Sequence, residues 1–418
     1  MEPGWVEHAI WWQVHPLGFV GAETESAGVE VTHRLGRIVD WLDYALEIGT
    51  SGIALGPVFA SETHGYDTTD HFRIDPRLGD EADFAALVAA AHDRGLRVLL
   101  DGVFNHVGRR FAVPDRSWYR LDGNGEHVTF EGHPGLLALN HDEPAVADHV
   151  VEVMCHWLAA GADGWRLDAA YAVDPAFWAR VLPRVRERFP DAYVVGEVIH
   201  GDYARIVAAS GMDAVTQYEL WKAVWSAIDD GNLFELAHAL KRHDDLLGTF
   251  VPLTFVGNHD VTRIASRIVD ERHLPHALAV LFTVGGTPSI YYGDEQAFRG
   301  IKQERVGGDD AIRPEFPAAG PEALSPLGRP TLHLHQELVG LRRRHPWLHR
   351  ARTTPLHLTN TQAVLESEAD GQRLLLALNL DDAPLTHDLP GVGDVLAGAA
   401  HLDGMRAYVP PHGWAVLA

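Results

Sequence analysis

The sequence predicts an α/β chain: a (β/α)8 TIM barrel, a short segment inserted after its third strand, and a C-terminal antiparallel β domain. Three observations carry this. Eight short apolar runs recur along the chain, most of them separated by amphipathic helical stretches. One long connection, after the third run, is polar, Gly-rich and aromatic, without helical period. The end of the chain alternates apolar and polar residues, with frequent Gly and Pro.

The runs lie at 9–14, 52–59, 97–104, 164–168, 192–198, 214–218, 251–256 and 288–292. Helical stretches such as 84–94, 145–160 and 176–188 separate them. The aperiodic connection spans 107–142. A Gly/Pro-rich segment at 303–330 follows the last run, then a helix at 331–344. The expected division is a barrel of residues 1–106 and 143–348, an insert of 107–142 and a β domain of 349–418.

The chain has 418 residues, 46% apolar and 22% charged, the make-up of a globular enzyme with a substantial core. A formal net charge of −24 disfavours nucleic acid and anionic membrane and suits a neutral partner. Cys155 is the only cysteine, which excludes an intramolecular disulfide and any multi-cysteine metal site; its apolar surroundings predict a buried core residue. The N-terminal residues show neither a signal peptide nor an apolar span, so a cytoplasmic protein is expected. No run is followed by a Gly-x-Gly-x-x-Gly turn, which argues against a dinucleotide enzyme.

In such a barrel the chemistry sits at the C-terminal ends of the strands. Four predicted strands end in acidic or imidazole residues. The third ends Asp101-Gly-Val-Phe-Asn105-His106, and the fourth runs Gly164-Trp-Arg166-Leu-Asp168. The fifth ends Gly196-Glu197 and the seventh Asn258-His259-Asp260. Taken singly, each has a bland reading as a helix cap, a loop hydrogen bond or an ion pair. Together they supply what glycosidic cleavage needs: one carboxylate to attack and one carboxylic acid to protonate the leaving oxygen.

In these segments the chain resembles the α-amylase family of glycoside hydrolases. Asp101–His106, Gly164–Asp168, Gly196-Glu197 and Phe255-Val-Gly-Asn-His-Asp260 follow the family's motifs in order. His64-Gly-Tyr66-Asp67 and Gly286-Thr-Pro-Ser-Ile-Tyr-Tyr-Gly-Asp294-Glu295 match two further segments. The resemblance implies that Asp168 is the nucleophile, Glu197 the general acid and then base, and Asp260 a third carboxylate binding the sugar hydroxyls. It implies that Arg166, on the same strand face as Asp168, keeps that nucleophile ionised. It makes His106 and His259 hydrogen-bond donors to the sugar, and Tyr66 the platform beneath it. The reaction is then retaining.

Gly164-Trp-Arg-Leu-Asp-Ala-Ala-Tyr-Ala-Val-Asp-Pro-Ala-Phe-Trp178 and Leu136-Leu-Ala-Leu-Asn140 resemble the neopullulanase and cyclomaltodextrinase branch. That branch favours short maltooligosaccharides, cyclodextrins and pullulan. Three departures stand out. The first strand begins by about residue 9, so the branch's N-terminal β domain, used for dimerisation, is not expected, and a monomer is. Ile199 replaces the tryptophan often found two residues after the acid, and Tyr171-Ala172 replaces the Lys-His of α-amylases. Many α-amylases also hold a structural calcium. Here Asn105 keeps one of its ligand positions while Ala138 and Ala172 replace an Asp and a His, so no metal and no cofactor are expected. The leading reading is hydrolysis of short α-1,4-linked glucose oligosaccharides. A transglycosylase or glucoside isomerase with the same residues is the alternative, and a non-catalytic binding protein on this fold a third.

Overall fold

The computed structural model describes residues 2–26, 30–305 and 307–418. The eight runs form eight strands: β1 (Trp11–Val14), β2 (Gly52–Leu55), β3 (Arg97–Gly102), β4 (Gly164–Leu167), β5 (Tyr193–Gly196), β6 (Ala214–Val215), β7 (Leu253–Phe255) and β8 (Thr287–Tyr291). They lie in the order β6-β5-β4-β3-β2-β1-β8-β7 with every pairing parallel. A parallel bridge from Thr216 to Leu253 joins the two ends, so the sheet closes on itself. Gly164 opens β4 where strands crowd: a Cβ there would lie 2.2 Å from the Tyr193 carbonyl oxygen.

Several strands are shorter than their apolar runs, each for a local reason. The run at 52–59 breaks at Pro57. Its far end, Phe59–Ser61, pairs antiparallel with Thr68–Ile74 in a hairpin outside the barrel. The run at 214–218 stops after two residues because the Gln217 side chain accepts the Leu220 amide and caps the next helix. Helix starts obey the same chemistry. Asp80 and Asp83 form a capping box on Glu81–Asp93, while Glu143 and Asp174 cap helices that begin at Pro144 and Pro175.

The insert contains no α-helix. His106–Val107 pairs with Leu137–Ala138, and bridges Tyr119–Leu139, Leu121–His127 and Thr129–Leu137 extend the meander. The chain's end forms β9 (Arg352–Leu358), β10 (Gln362–Ala369), β11 (Gln372–Asn379), β12 (Leu385–Asp388), β13 (Val395–Gly398), β14 (His401–Asp403), β15 (Arg406–Val409) and β16 (Trp414–Leu417). A five-stranded sheet, β9-β10-β11-β16-β13, faces a three-stranded one, β12-β15-β14. Strand β11 has two apolar faces. Leu375 and Ala377 enter a small core with Leu385, Val409 and Leu417, while Leu374, Leu376 and Leu378 join the barrel's core. Cys155 is buried on the helix Pro144–Ala159, as expected.

The loop that carries Tyr66 is anchored by a buried ion pair. Arg77 is fully buried and bonds Asp75 through Nη2 at 2.7 Å and through Nε at 2.8 Å. It also donates to Ser61 Oγ at 2.7 Å and to the Glu23 carbonyl at 2.9 Å. Removing one member strands the other's charge. Arg77→Met should therefore cost about 3–5 kcal/mol in urea unfolding. A loss below about 1 kcal/mol would show that water reaches Asp75 and that the pair does not anchor the loop.

Candidate active site

The C-terminal mouth of the barrel gathers acidic side chains around one cation, and strand register does the gathering. Asp101 on β3 lies directly opposite Arg166 on β4, and Leu167 opposite Gly196 on β5. Arg166 Nη1 lies 2.8 Å from both Asp101 oxygens and 3.2 Å from Asp168 Oδ1. Its Nη2 lies 2.7 Å from Glu197 Oε1 and 4.0 Å from Asp260 Oδ2. Arg166, Asp168 and Glu197 are buried, and Asp260 is the most exposed of the cluster.

Neighbouring donors set each carboxylate's orientation. Ala169 has a left-handed backbone, φ 45°, which aims its amide at Glu197 Oε2, 3.0 Å away. Tyr218 donates to Glu197 Oε1 at 3.1 Å and itself receives the Asn258 amide at 2.8 Å. Arg313 donates to Asp260 Oδ1 at 3.0 Å, and His259 Nε2 lies 2.9 Å from Asp260 Oδ2. The His259 Nδ1 meets Gln13 at 3.1 Å, and the Tyr66 hydroxyl meets His259 Nε2 and Asp101. The Tyr66 and His259 rings lie parallel, 5.5 Å apart. His106 Nε2 lies 4.0 Å from Asp168 Oδ2, and Asn105 Nδ2 lies 3.1 Å from its Nδ1.

The charges follow from this crowding. Burial, and then the Glu197 carboxylate, push the Asp168 carboxyl well above the ordinary range; Arg166 recovers only part of that. Arg166 pulls the Asp168 carboxyl down against that push while also facing Asp101, Glu197 and Asp260. Burial also works against charge on Asp260, but His259, Arg313 and Arg166 together hold its carboxyl well below the usual range. Burial takes His106 down to about 4, so its imidazole is neutral.

All seven residues singled out in the sequence, Tyr66, His106, Arg166, Asp168, Glu197, His259 and Asp260, meet at this mouth through the contacts above. Three partners were missed. Asp101 stood inside a quoted motif but reads as an ordinary strand end. Tyr218 lies at the end of the run at 214–218. Arg313 sits in the Gly/Pro-rich segment after β8, where no periodicity marks it.

The calcium position offers little to a cation. Asn105 Nδ2 meets His106 Nδ1 at 3.1 Å, a contact that does not use the Oδ1 a cation would need, and His141 Nε2 lies 2.9 Å from the Phe104 carbonyl oxygen. No carboxylate stands at Ala138, Ala172 keeps only a backbone carbonyl, and Ca²⁺ needs 6–8 oxygens with anionic charge among them. The donor set does not fit the ion.

A closed barrel with carboxylates clustered at its C-terminal mouth is the arrangement that two-carboxylate glycoside cleavage requires. The family description "Alpha amylase, catalytic domain" matches residues 13–119 and 114–369. The chain belongs to the alpha-amylase family of glycoside hydrolases. A cyclomaltodextrinase from a Bacillus species is 31% identical, with 71% of this chain and 61% of that one aligned. A cyclomaltodextrinase of Geobacillus thermopakistaniensis is 28% identical across 100% of this chain and 78% of its own. The chain thus spans about 61% of the length of the Bacillus relative. Among solved structures, a cyclic α-maltosyl-(1→6)-maltose hydrolase from Arthrobacter globiformis in complex with maltose superposes with a TM-score of 0.83. It is 25% identical, and 100% of each chain is covered. A debranching enzyme of Nostoc punctiforme, 24% identical, shares the fold with a TM-score of 0.83 over 100% of this chain and 99% of that one.

Two measurements test this site. Arg166→Leu leaves Asp101 and Asp168, both already raised by burial, without their cation, so their folded pKa values rise further. A raised carboxyl stabilises at low pH and loses that contribution as pH climbs through its folded value. The variant's melting temperature should therefore fall increasingly behind that of the parent between about pH 5 and pH 8. A deficit independent of pH would deny Arg166 its electrostatic role. Treatment with a chelator should leave both melting temperature and turnover unchanged; a loss restored specifically by Ca²⁺ would contradict the reading of Ala138 and Ala172.

Proposed function

We propose that this chain is a retaining hydrolase of short α-1,4-linked glucose oligosaccharides: maltooligosaccharides, with cyclodextrin and pullulan as further substrates. The observation that carries this is the placement of Asp168 and Glu197 on the two terminal nitrogens of one guanidinium at the barrel mouth. Asp168 attacks C1 as the bond from C1 to the glycosidic oxygen breaks, and Glu197 gives that oxygen its proton. Positive charge growing at C1 favours an ionised Asp168, which assigns the proton to Glu197 at the moment it is needed. In the second half Glu197 takes a proton from water, the water oxygen bonds C1, and the ester to Asp168 breaks. Two inversions give retention.

His106 Nε2, buried and without a protein hydrogen bond, suits a sugar hydroxyl. Both nitrogens of His259 are engaged by Gln13, Asp260 and Tyr66, so it orients Asp260 and the Tyr66 ring as much as it binds sugar. The named relatives support the substrate class: besides the cyclomaltodextrinases, an intracellular maltogenic amylase of Bacillus subtilis is 30% identical over 71% of this chain and 57% of its own, and neopullulanase 2 of Thermoactinomyces vulgaris 30% identical over 71% and 58%. Transfer to a second sugar instead of water uses the same ester and remains the alternative outcome. We further propose the division into barrel, insert 107–142 and β domain 349–418, and a cytoplasmic monomer that binds no nucleic acid, in line with the net charge of −24. Among the described residues no helix is long and apolar enough to cross a membrane.

Incubation with maltooligosaccharides, cyclodextrin, pullulan, trehalose and sucrose, with products resolved over time, tests the reading. The first product observed by NMR should be the α-anomer; a β-anomer would point to inversion. Asp168→Asn should abolish turnover with the fold intact. Glu197→Gln should be severely impaired on maltooligosaccharides but partly active on substrates whose leaving group needs no proton. Near-normal activity of either variant on maltotriose would sink the scheme.

A further inference from the structure

Two histidines face each other where the C-terminal β domain docks on the barrel. His273 ends the 3₁₀ turn Glu271–His273, which leads into the barrel helix Leu274–Thr283. His412 stands in the turn between β15 and β16. His273 Nε2 lies 3.0 Å from His412 Nδ1, although 139 positions separate the two residues. Imidazoles that meet nitrogen to nitrogen hold one proton between two lone pairs, a place that a metal ion can take. Asp270, which caps the same 3₁₀ turn, completes the group. Its carboxylate and the two rings each present one ligand atom, all within 4.8 Å of one another. Around a tetrahedral ion with bonds of ~2.0–2.1 Å, neighbouring ligand atoms lie ~3.3 Å apart, so the histidine pair stands near the required spacing.

The surroundings prepare these ligands. His412 Nε2 donates to Asp382 Oδ1 at 2.8 Å. A carboxylate behind the ring keeps the proton on Nε2 and leaves Nδ1 free to ligate, the support that metal-bound imidazoles require. His276, one helical turn beyond His273, donates from Nε2 to the Gly413 carbonyl at 2.9 Å and to the Asn379 carbonyl at 3.1 Å. That fastens the turn carrying His412 to the barrel. One charge opposes a cation: Arg272 Nη2 holds the Asp270 carboxylate at 2.6 Å. The Arg272 side chain is largely exposed and can swing away, so it competes for the carboxylate without blocking it.

We propose that Asp270, His273 and His412 form a binding site for a transition-metal dication of the zinc class, which would join the barrel to the β domain. Two imidazoles and one carboxylate suit Zn²⁺, whereas Ca²⁺ and Mg²⁺ want a shell of oxygens. On binding, the ion takes both facing lone pairs, and the His273 proton moves from Nε2 to Nδ1 through solvent. None of these residues belongs to the barrel mouth, and the inference stands apart from the hydrolase reading. Three protein ligands, one of them contested by Arg272, hold the ion on the order of micromolar, more weakly than a four-ligand structural site. Such an ion leaves on dilution and has to be supplied.

Calorimetric titration of ZnCl2 into the chelator-treated, desalted protein tests this, with CaCl2 and MgCl2 for comparison. One equivalent of Zn²⁺ should bind with a Kd of about 1 µM. At about 100 times that concentration the melting temperature should rise by about 3 °C. The chain has 26 histidines, so variants decide where the ion sits. His412→Asn suits the left-handed backbone at that position, φ 53°, and removes one ligand. Asp382→Ala changes an almost fully exposed side chain, which leaves the core untouched. Each should weaken Zn²⁺ binding at least about tenfold and abolish the thermal shift. Arg272→Ala should tighten binding several-fold by releasing Asp270. Zn²⁺ binding unchanged in both His412→Asn and Asp382→Ala would place the ion on other histidines and overturn the site. Ca²⁺ binding as tight as that of Zn²⁺, weaker binding in Arg272→Ala, or no saturable binding to the parent would overturn it as well.

Discussion

The Arg166 guanidinium, closed in by Asp101, Asp168, Glu197 and Asp260, is the interaction on which the rest of the site depends. Three buried carboxylates and the partly exposed Asp260, within reach of one another, repel strongly unless a cation lies between them, and Lys could not serve as well. A planar fork with two terminal nitrogens can meet Asp101 and Asp168 on one nitrogen and Glu197 on the other. Asp260 draws on a second guanidinium, that of Arg313, and on His259, while burial and Glu197 push the Asp168 carboxyl up against the pull of Arg166.

The barrel serves this cluster through register. Side chains two residues apart share a strand face, which puts Asp168 on the side of Arg166, and the parallel pairing of β3 with β4 sets Asp101 against Arg166. The second layer comes from less regular chain. Tyr218 begins a helix, Arg313 closes the end of a short 3₁₀ turn, and Tyr66 stands on a loop pinned by Arg77 and Asp75. Strain sits where the chemistry is: Ala169 follows the proposed nucleophile in a left-handed conformation, and His412 holds another between the barrel and the β domain.

Much of this was legible in the residues. Eight apolar runs became eight strands, and the aperiodic stretch after the third became an insert with no α-helix. Where runs overreached, the cause was a side chain that periodicity ignores: Pro57 ended one strand early, and Gln217 turned another into a helix cap. Most residues of the mouth were readable because they carry their chemistry at predicted strand ends; Tyr66, on a loop, was readable only through the resemblance of His64-Gly-Tyr66-Asp67. Asp101, Tyr218 and Arg313 were not, since an acidic strand end, a tyrosine at a helix start and an arginine in a loop have many ordinary explanations.

The sequence by itself determined the alternation that makes a barrel, the strand ends at which carboxylates fall, and the family to which the chain belongs. These are local facts, set by residue spacing and by side-chain polarity. Only the tertiary structure decided how charge is distributed, because a carboxyl's protonation depends on what lies within a few ångströms in space, from strands far apart in the chain. It placed four carboxylates on one arginine, raised the Asp168 carboxyl against the pull of that arginine, and brought Glu131 across 40 positions to Tyr171. Spacing along the chain carries no information about those distances; closure of the barrel and the folding of the insert over its mouth create them.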